Sequence, residues 1–188
     1  MTTEQLYDQL NYVDSTKASR LKFAQQILNQ PELTPVLLEL ILKVDDALSS
    51  KAAWILEVAC GENLNILLPY LDYFTLKMPT VHFDSAVRSI AKICEYLTKA
   101  FYISSDPEVK THLKSEHKER IIELCFDYMI NDNKTAPKAY SMQTLFLLGK
   151  EYSWIHPELA TILQRDFQQG SAGFKARARH ILKAITTT

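Results

Sequence analysis

The chain has 188 residues, 47% of them hydrophobic and 23% charged, which excludes a wholly disordered chain and allows a sizeable core. Only 4 glycines occur, and this scarcity disfavours a fold built from tight hairpin turns. The formal net charge of −1 gives no overall attraction for nucleic acid or an anionic membrane. We therefore expect an all-α protein with a single domain over residues 1–188.

Targeting and membrane segments are not expected. The N-terminus, MTTEQLYDQLNYVD, lacks the basic and apolar regions of a secretory signal. The longest apolar runs fall far short of the roughly 20 residues that cross a membrane. Cys60, Cys94 and Cys125 lie within apolar helical patterns, which suits reduced, buried thiols. The sequence therefore predicts a cytoplasmic protein without a membrane partner.

Hydrophobic periodicity predicts helices along the whole chain. In chain order they cover 4–13, 16–28, 34–44, 51–60, a pair within 63–97 whose second helix continues toward Tyr102, 116–130, 135–149, 153–167 and 172–185. Thr34 and Pro35 provide an N-cap and a first-turn proline, and Ser171 is a predicted N-cap. Gly61 is placed to adopt the left-handed conformation that ends many helices.

A 34-residue spacing relates successive helix pairs. Ala18, Ala52 and Ala86 each lie at the start of a second helix and are 34 residues apart. An irregular polar insertion near 104–115 separates them from the next matching alanine, Ala139. A lone helix pair cannot bury its apolar face, so repeated pairs must stack. We predict an α-solenoid of about five antiparallel helix pairs.

The repeat resembles the HEAT family. Tetratricopeptide repeats share the 34-residue period, but they carry a small residue 12 positions before the second-helix alanine, where this chain has Leu40 and Phe74. The stretch NILLPYLDYF, followed by Asp84 and then Ala86-Val87-Arg88, is similar to the HEAT pattern of an interior proline, an aspartate near the turn and a Val-Arg opening. This resemblance implies HEAT-like pairs whose second helices line a concave docking face.

The chain also resembles a family of short bacterial proteins often labelled adenylosuccinate lyase. The segments SSKAAWILE, HFDSAVRSIAKICEYL and AYSMQTLFLLGK carry this resemblance. The signature loop of that lyase superfamily is similar to S-S-x-M-P-x-K-x-N, with a serine as general base. Its nearest counterpart here, Lys77-Met78-Pro79, lacks the serines, the lysine after the proline and the asparagine. No motif therefore supports lyase chemistry.

No residue set predicts a catalytic centre, a cofactor or a metal. The sequence has no GxSxG, P-loop or GxGxxG motif. His112 and His117 have Asp106 and Glu116 nearby, but a spacing of five suits shared metal ligation on one helix poorly. Solvated loop histidines are the alternative. We expect no cofactor and no bound metal.

Cations recur at equivalent positions of the repeat, beside the marker alanines, and continue into the last helix. These candidate binding residues are Lys17, Lys51, Arg88, Lys138, Lys175, Arg177 and Arg179. One interpretation is a structural ladder paired with acids near the turns, such as Asp46 and Asp84. The other is a basic recognition surface along the concave face. The sequence leaves both open.

Three aromatic residues, Trp54, Tyr140 and Trp154, can stack a ligand, although aromatic residues on repeat helices mostly pack in the core. Together these features predict a non-catalytic interaction or scaffold module that binds another protein on its concave face. A HEAT-like solenoid that binds nucleic acid or phosphate is the alternative. An adenylosuccinate lyase, as the family label claims, ranks third.

Overall fold

The computed structural model describes residues 2–131 and 134–186, and every regular element within these ranges is helical. The all-α prediction is therefore confirmed. The helices are α1 (Thr3–Leu10), α2 (Lys17–Asn29), α3 (Thr34–Ile41), α4 (Leu48–Glu62), α5 (Leu71–Lys77), α6 (Asp84–Tyr102), α7 (Pro107–His112), α8 (Ser115–Ile130), α9 (Thr135–Leu148), α10 (Ile155–Asp166) and α11 (Ala172–Thr186). Short 3-10 turns occupy Pro31–Leu33, Leu64–Ile66, Leu68–Tyr70 and Met78–Thr80.

Several helix ends follow the predicted capping signals. The Ser171 hydroxyl accepts the backbone N–H of Phe174 at 3.2 Å, as expected for the N-cap of α11. Gly149 ends α9 and donates its N–H to the Leu145 carbonyl at 2.8 Å. In the predicted polar insertion, Asp106 caps the short helix α7. The Thr34 prediction is wrong, because Thr34 lies inside α3 and Leu33 is the N-cap residue without a side-chain capping bond, whereas Pro35 lies in the first turn as predicted.

The prediction for Gly61 is wrong. Gly61 lies inside α4, and no described glycine has a positive φ. The helix instead ends at Asn63, an extended residue whose N–H bonds the Ala59 carbonyl at 2.8 Å. A Cβ added at Gly61 would lie 3.2 Å from the Tyr96 hydroxyl. The missing side chain therefore allows α6 to approach α4 closely.

The first helix predicted within 63–97 is also shorter than expected. The 3-10 turns at Leu64–Ile66 and Leu68–Tyr70 precede α5, and a third turn at Met78–Thr80 follows it. Pro69 lies within the second turn, and it has no N–H to offer to an α-helix running through this position. The second helix, α6, is present as predicted and extends to Tyr102.

The longer helices pack in a consistent order. Helix α2 packs against α4, α4 against α6, α6 against α9, and α9 against α11. The other helices pack on this row: α3 lies on α4, α8 on α9, and α10 on both α9 and α11. Because α6 contacts α9 directly, the insertion that contains α7 does not interrupt the row.

Buried side chains from Leu6 in α1 to Ile181 in α11 form one continuous core. Cys60, Cys94 and Cys125 are free and buried, which confirms the prediction for the thiols. Burial raises the pKa of the Cys60 thiol. No helix in the described ranges is long and apolar enough to span a membrane.

The first repeat fits the predicted pattern least well. Ala52 and Ala86 are fully buried, whereas Ala18 is exposed. Leu21, which the helical period places inward, is 38% exposed. Helix α2 lies at one end of the row and packs against α4, so a smaller part of its surface is covered.

Candidate functional site

A groove lies where three helices of the row begin. It has a volume of about 660 Å³, and residues at or beside the first turns of α4, α6 and α9 line it. We call it the basic groove and define it by six of its residues, Lys51, Trp54, Phe83, Asp84, Arg88 and Lys134. Because all three helices contribute their N-terminal ends, they begin at the same edge of the row.

Two predicted cations, Lys51 and Arg88, meet in this groove. The Lys51 ammonium donates to the Asn11 carbonyl at 3.1 Å. The Arg88 guanidinium contacts the Glu57 carboxylate at 2.6 Å, and the same oxygen accepts the Ser89 hydroxyl at 2.6 Å. The Glu57 side chain is only 11% exposed. This nearly buried carboxylate therefore fixes the position of the arginine between α4 and α6.

Lys134 is a third cation of the groove, and sequence analysis missed it. Its ammonium lies 2.7 Å from an Asp84 carboxylate oxygen, and both side chains are more than half exposed. An exposed pair of this kind contributes only about 0–1 kcal/mol. Lys134 can therefore exchange this partner for an external carboxylate at little cost.

The two acids proposed for a structural ladder have other partners. Asp84 pairs with Lys134, which was not among the candidate cations. Asp46 accepts the Leu48 backbone N–H at 2.9 Å and the Tyr7 hydroxyl at 2.8 Å. These two hydrogen bonds, the backbone one foremost, lower the pKa of the Asp46 carboxyl. Asp46 thus joins the start of α4 to α1 through these two hydrogen bonds.

The three aromatic candidates have different surroundings. Trp54 is half-buried and lines the basic groove, and the Arg20 guanidinium lies 6.0 Å from its ring centre. The Lys92 ammonium lies 4.4 Å from the centre of the Tyr140 ring, and Tyr140 packs against the core. Trp154 is 52% exposed and lies in a separate groove. Of these three candidates, Trp54 is therefore the one that lines the groove with Lys51 and Arg88.

Three of the other candidate cations lie outside the basic groove. Lys138 lines a separate groove of about 400 Å³ together with Arg165 and Asp166, which form an ion pair of 2.6 Å. Lys17 is exposed at the first position of α2, and Lys175 is half-buried in α11. The predicted row of cations is thus divided among several surfaces.

The two arginines of the last helix contact neighbouring elements. Arg177 donates to the Gln143 side-chain oxygen at 3.4 Å, and this contact joins α11 to α9. The Arg179 guanidinium lies 5.3 Å from the centre of the Phe167 ring. Both side chains therefore have packing roles within this end of the chain.

One cluster in the described ranges approaches the geometry of a metal site. The ligand atoms of Asp72, Glu116 and His117 lie within 4.8 Å of one another. However, His117 Nδ1 accepts the Lys114 backbone N–H at 3.2 Å, so Nε2 of a neutral ring carries the proton that faces Asp72 at 3.0 Å. Arg120 lies 3.4 Å from the same aspartate oxygen. The cluster therefore fits a helix cap better than a cation site.

The segment nearest to the lyase loop has a structural position. Met78 is fully buried, and Met78–Thr80 forms the 3-10 turn that follows α5. Lys77 and Pro79 are exposed on either side of it. The methionine thus anchors this turn in the core.

The basic groove places positively charged side chains beside an aromatic ring. Ammonium and guanidinium groups attract carboxylates or phosphates, and the indole ring offers a flat apolar contact. The groove residues listed in its definition include no histidine or cysteine. No family model, curated protein or solved structure matches this chain.

Proposed function

We propose that this protein is a non-catalytic interaction module, built as an α-solenoid of HEAT-like helix pairs, and that its basic groove binds an acidic segment of a partner protein. The packing order α2–α4–α6–α9–α11 supports this proposal. In a solenoid the second helix of each pair lies beside the second helix of the next. The common edge at which α4, α6 and α9 begin is what such a stack requires.

The observation that carries the proposal is the convergence of Lys51, Arg88 and Lys134 on one groove beside Trp54. Lys51 lies in α4, Arg88 lies in α6, and Lys134 immediately precedes α9. Packed helices lie about 8–10 Å apart, which is close to one turn of a polyproline II chain, three residues at about 3.1 Å each. A segment that crosses the groove in this conformation can therefore place an acidic residue near each cation at every third position, since every third side chain lies on the same face.

The charge of the groove favours carboxylates over a phosphate backbone. Its three cations are partly offset by Asp84, which lines the groove, and by Glu57 behind Arg88. Nucleic-acid binding depends on many phosphate contacts, whereas the chain as a whole has a net charge of −1. A short acidic peptide needs only the few cations that the groove provides.

Tryptophan fluorescence can test this proposal at one site. The chain has 2 tryptophans, so Trp154→Phe leaves Trp54 as the only indole reporter. We expect a peptide with glutamate at every third position to change Trp54 fluorescence saturably. Binding should weaken as salt is added, because screening acts within about 8 Å at physiological ionic strength.

Charge reversal provides the matched control. Lys51→Glu with Lys134→Glu should weaken binding strongly, whereas Lys110→Glu with Lys150→Glu, at exposed positions outside the groove, should leave it nearly unchanged. Equal loss in both variants would show nonspecific attraction and contradict the proposal. Tighter binding of an oligonucleotide than of the peptide would favour the phosphate-binding alternative.

A further inference from the structure

A second groove, of opposite charge, lies between α8 and the start of α10. Its volume is about 490 Å³. We call it the acidic groove and define it by six of its residues, Glu119, Glu123, Phe126, Asp127, Tyr152 and Trp154. It shares no residue with the basic groove.

The floor of the acidic groove is aromatic. The rings of Phe126 and Trp154 stack with their centres 5.6 Å apart and an angle of 20° between their planes. Trp154 nevertheless remains 52% exposed. Tyr152, which is half-buried, adds a third ring to the same lining. An exposed aromatic surface of this kind attracts cations through the faces of its rings.

The rim of the acidic groove consists of three carboxylates one helical turn apart. Glu119, Glu123 and Asp127 are all exposed on α8, and none forms an ion pair within residues 2–131 and 134–186. Like charges at this spacing on a helix repel one another. Lys118, on the same helix, pairs instead with Glu151 at 2.7 Å. The row is therefore not offset within the described chain.

We propose that the acidic groove binds a basic segment of a partner protein. Charge complementarity determines this choice, because the rim carries three carboxylates and the defining residues include no cation. Lysine or arginine side chains of the partner would pair with the carboxylates and lie against the Trp154 ring. The proposal goes beyond the function of the basic groove and does not depend on it.

The spacing of the carboxylates indicates what such a segment looks like. Residues four apart on a helix are about 6 Å apart along its axis. Side chains on one face of an extended chain recur at about 6.6 Å. An extended segment with a basic residue at every second position therefore matches Glu119, Glu123 and Asp127 in register.

Trp54→Phe leaves Trp154 as the only indole, so its fluorescence reports on the acidic groove alone. We expect a short peptide of alternating lysine and alanine to change this signal saturably, while a peptide of alternating glutamate and alanine does not. Glu119→Gln, Glu123→Gln and Asp127→Asn together should weaken binding about tenfold, since each exposed pair contributes a factor of roughly two to three.

The control removes the same charge elsewhere. Glu32→Gln, Glu39→Gln and Glu62→Gln affect exposed carboxylates outside the acidic groove and should leave the affinity within about twofold. Circular dichroism should show the same helix content in both triple variants, because neutralising the row removes repulsion.

Three results would overturn the proposal: unchanged affinity in the groove variant, equal loss in the control, or dimerisation of the chain that the groove variant abolishes. The last result would make a second copy the occupant. Because the two tryptophans lie in different grooves, a failure here leaves the test of the basic groove unaffected.

Discussion

The contact between Arg88 and Glu57 should stabilise the packing of α4 against α6. The Glu57 side chain is 11% exposed and that of Arg88 is 29% exposed, and their charged atoms lie 2.6 Å apart. Arg88→Ala would leave the carboxylate nearly buried, with the hydrogen bond from the Ser89 hydroxyl still in place. Removing one member of a buried pair costs about 3–5 kcal/mol. Because Glu57 keeps one hydrogen bond, we expect the lower end, about 3 kcal/mol.

Urea denaturation followed by circular dichroism measures this loss. In thermal denaturation, the same loss of unfolding free energy should lower the melting temperature of a chain of this length by about 6–12 °C. Lys134→Ala, which breaks the exposed pair with Asp84, should cost less than about 1 kcal/mol. The double variant Arg88→Ala with Glu57→Ala should be more stable than Arg88→Ala alone, because no unpaired charge remains buried.

The stability of Arg88→Ala relative to Lys134→Ala decides whether this reasoning is right. If both variants lose the same small amount of unfolding free energy, the nearly buried Glu57 carboxylate does not need the guanidinium as a partner, and the assigned role of the pair is wrong. This difference also explains why the binding tests change Lys51 and Lys134. Replacing Arg88 would lower both stability and binding, so the two effects could not be separated.

Two further predictions concern thiols and pH. Cys60 and Cys94 should react slowly with a thiol reagent in the native protein and rapidly in denaturant, because both are buried; fast native labelling would show that the assigned helix faces are wrong. Burial acts to raise the pKa of the Glu151 carboxyl, but hydrogen bonds from Lys118 and Tyr102 lower this pKa below its usual 4.5. The stabilising contribution of Glu151 is therefore present above about pH 4.5 and lost as the pH falls through the lower folded pKa. Glu151→Gln should make the melting temperature depend less on pH on the acid side. An unchanged pH profile of the melting temperature would contradict this.

Much of the fold follows from local patterns in the sequence. The apolar periods of α6, α8, α9 and α11 predict these helices because each buries one face against the row. The stretch around Pro69 was less predictable, since its apolar residues have a helical period while the proline prevents a continuous helix. A glycine such as Gly61 is typical of a helix end, but here close packing against Tyr96 explains the glycine at this position.

The basic groove was predictable only in part. Repeat spacing identified Lys51, which directly precedes Ala52, and Arg88, which lies two residues after Ala86 at a second equivalent position. Lys134 carries no such signal, since it precedes α9 in a polar segment, and the packing of α6 against α9 brings it to the groove. Glu57 was missed as the partner of Arg88, although a carboxylate within the apolar run AWILEVAC is itself a sign of a buried pair.

The row of acids on α8 was present in the sequence as a four-residue spacing of Glu119, Glu123 and Asp127. The structure was needed to interpret this row of acids as part of a groove, because only the fold shows that Trp154 and Phe126 lie beside it. Spacing along one helix can be read from the sequence. Contacts between distant elements depend on how those elements pack.

The most direct test of the proposed interaction module reverses two charges of the basic groove and follows binding by Trp54 fluorescence. In the Trp154→Phe chain, Lys51→Glu with Lys134→Glu should lose affinity for the glutamate peptide and gain affinity for a peptide with lysine at the same positions. Circular dichroism should confirm that helix content is retained. Retained binding of the glutamate peptide, with no gain for the lysine peptide, would contradict the assignment of the basic groove.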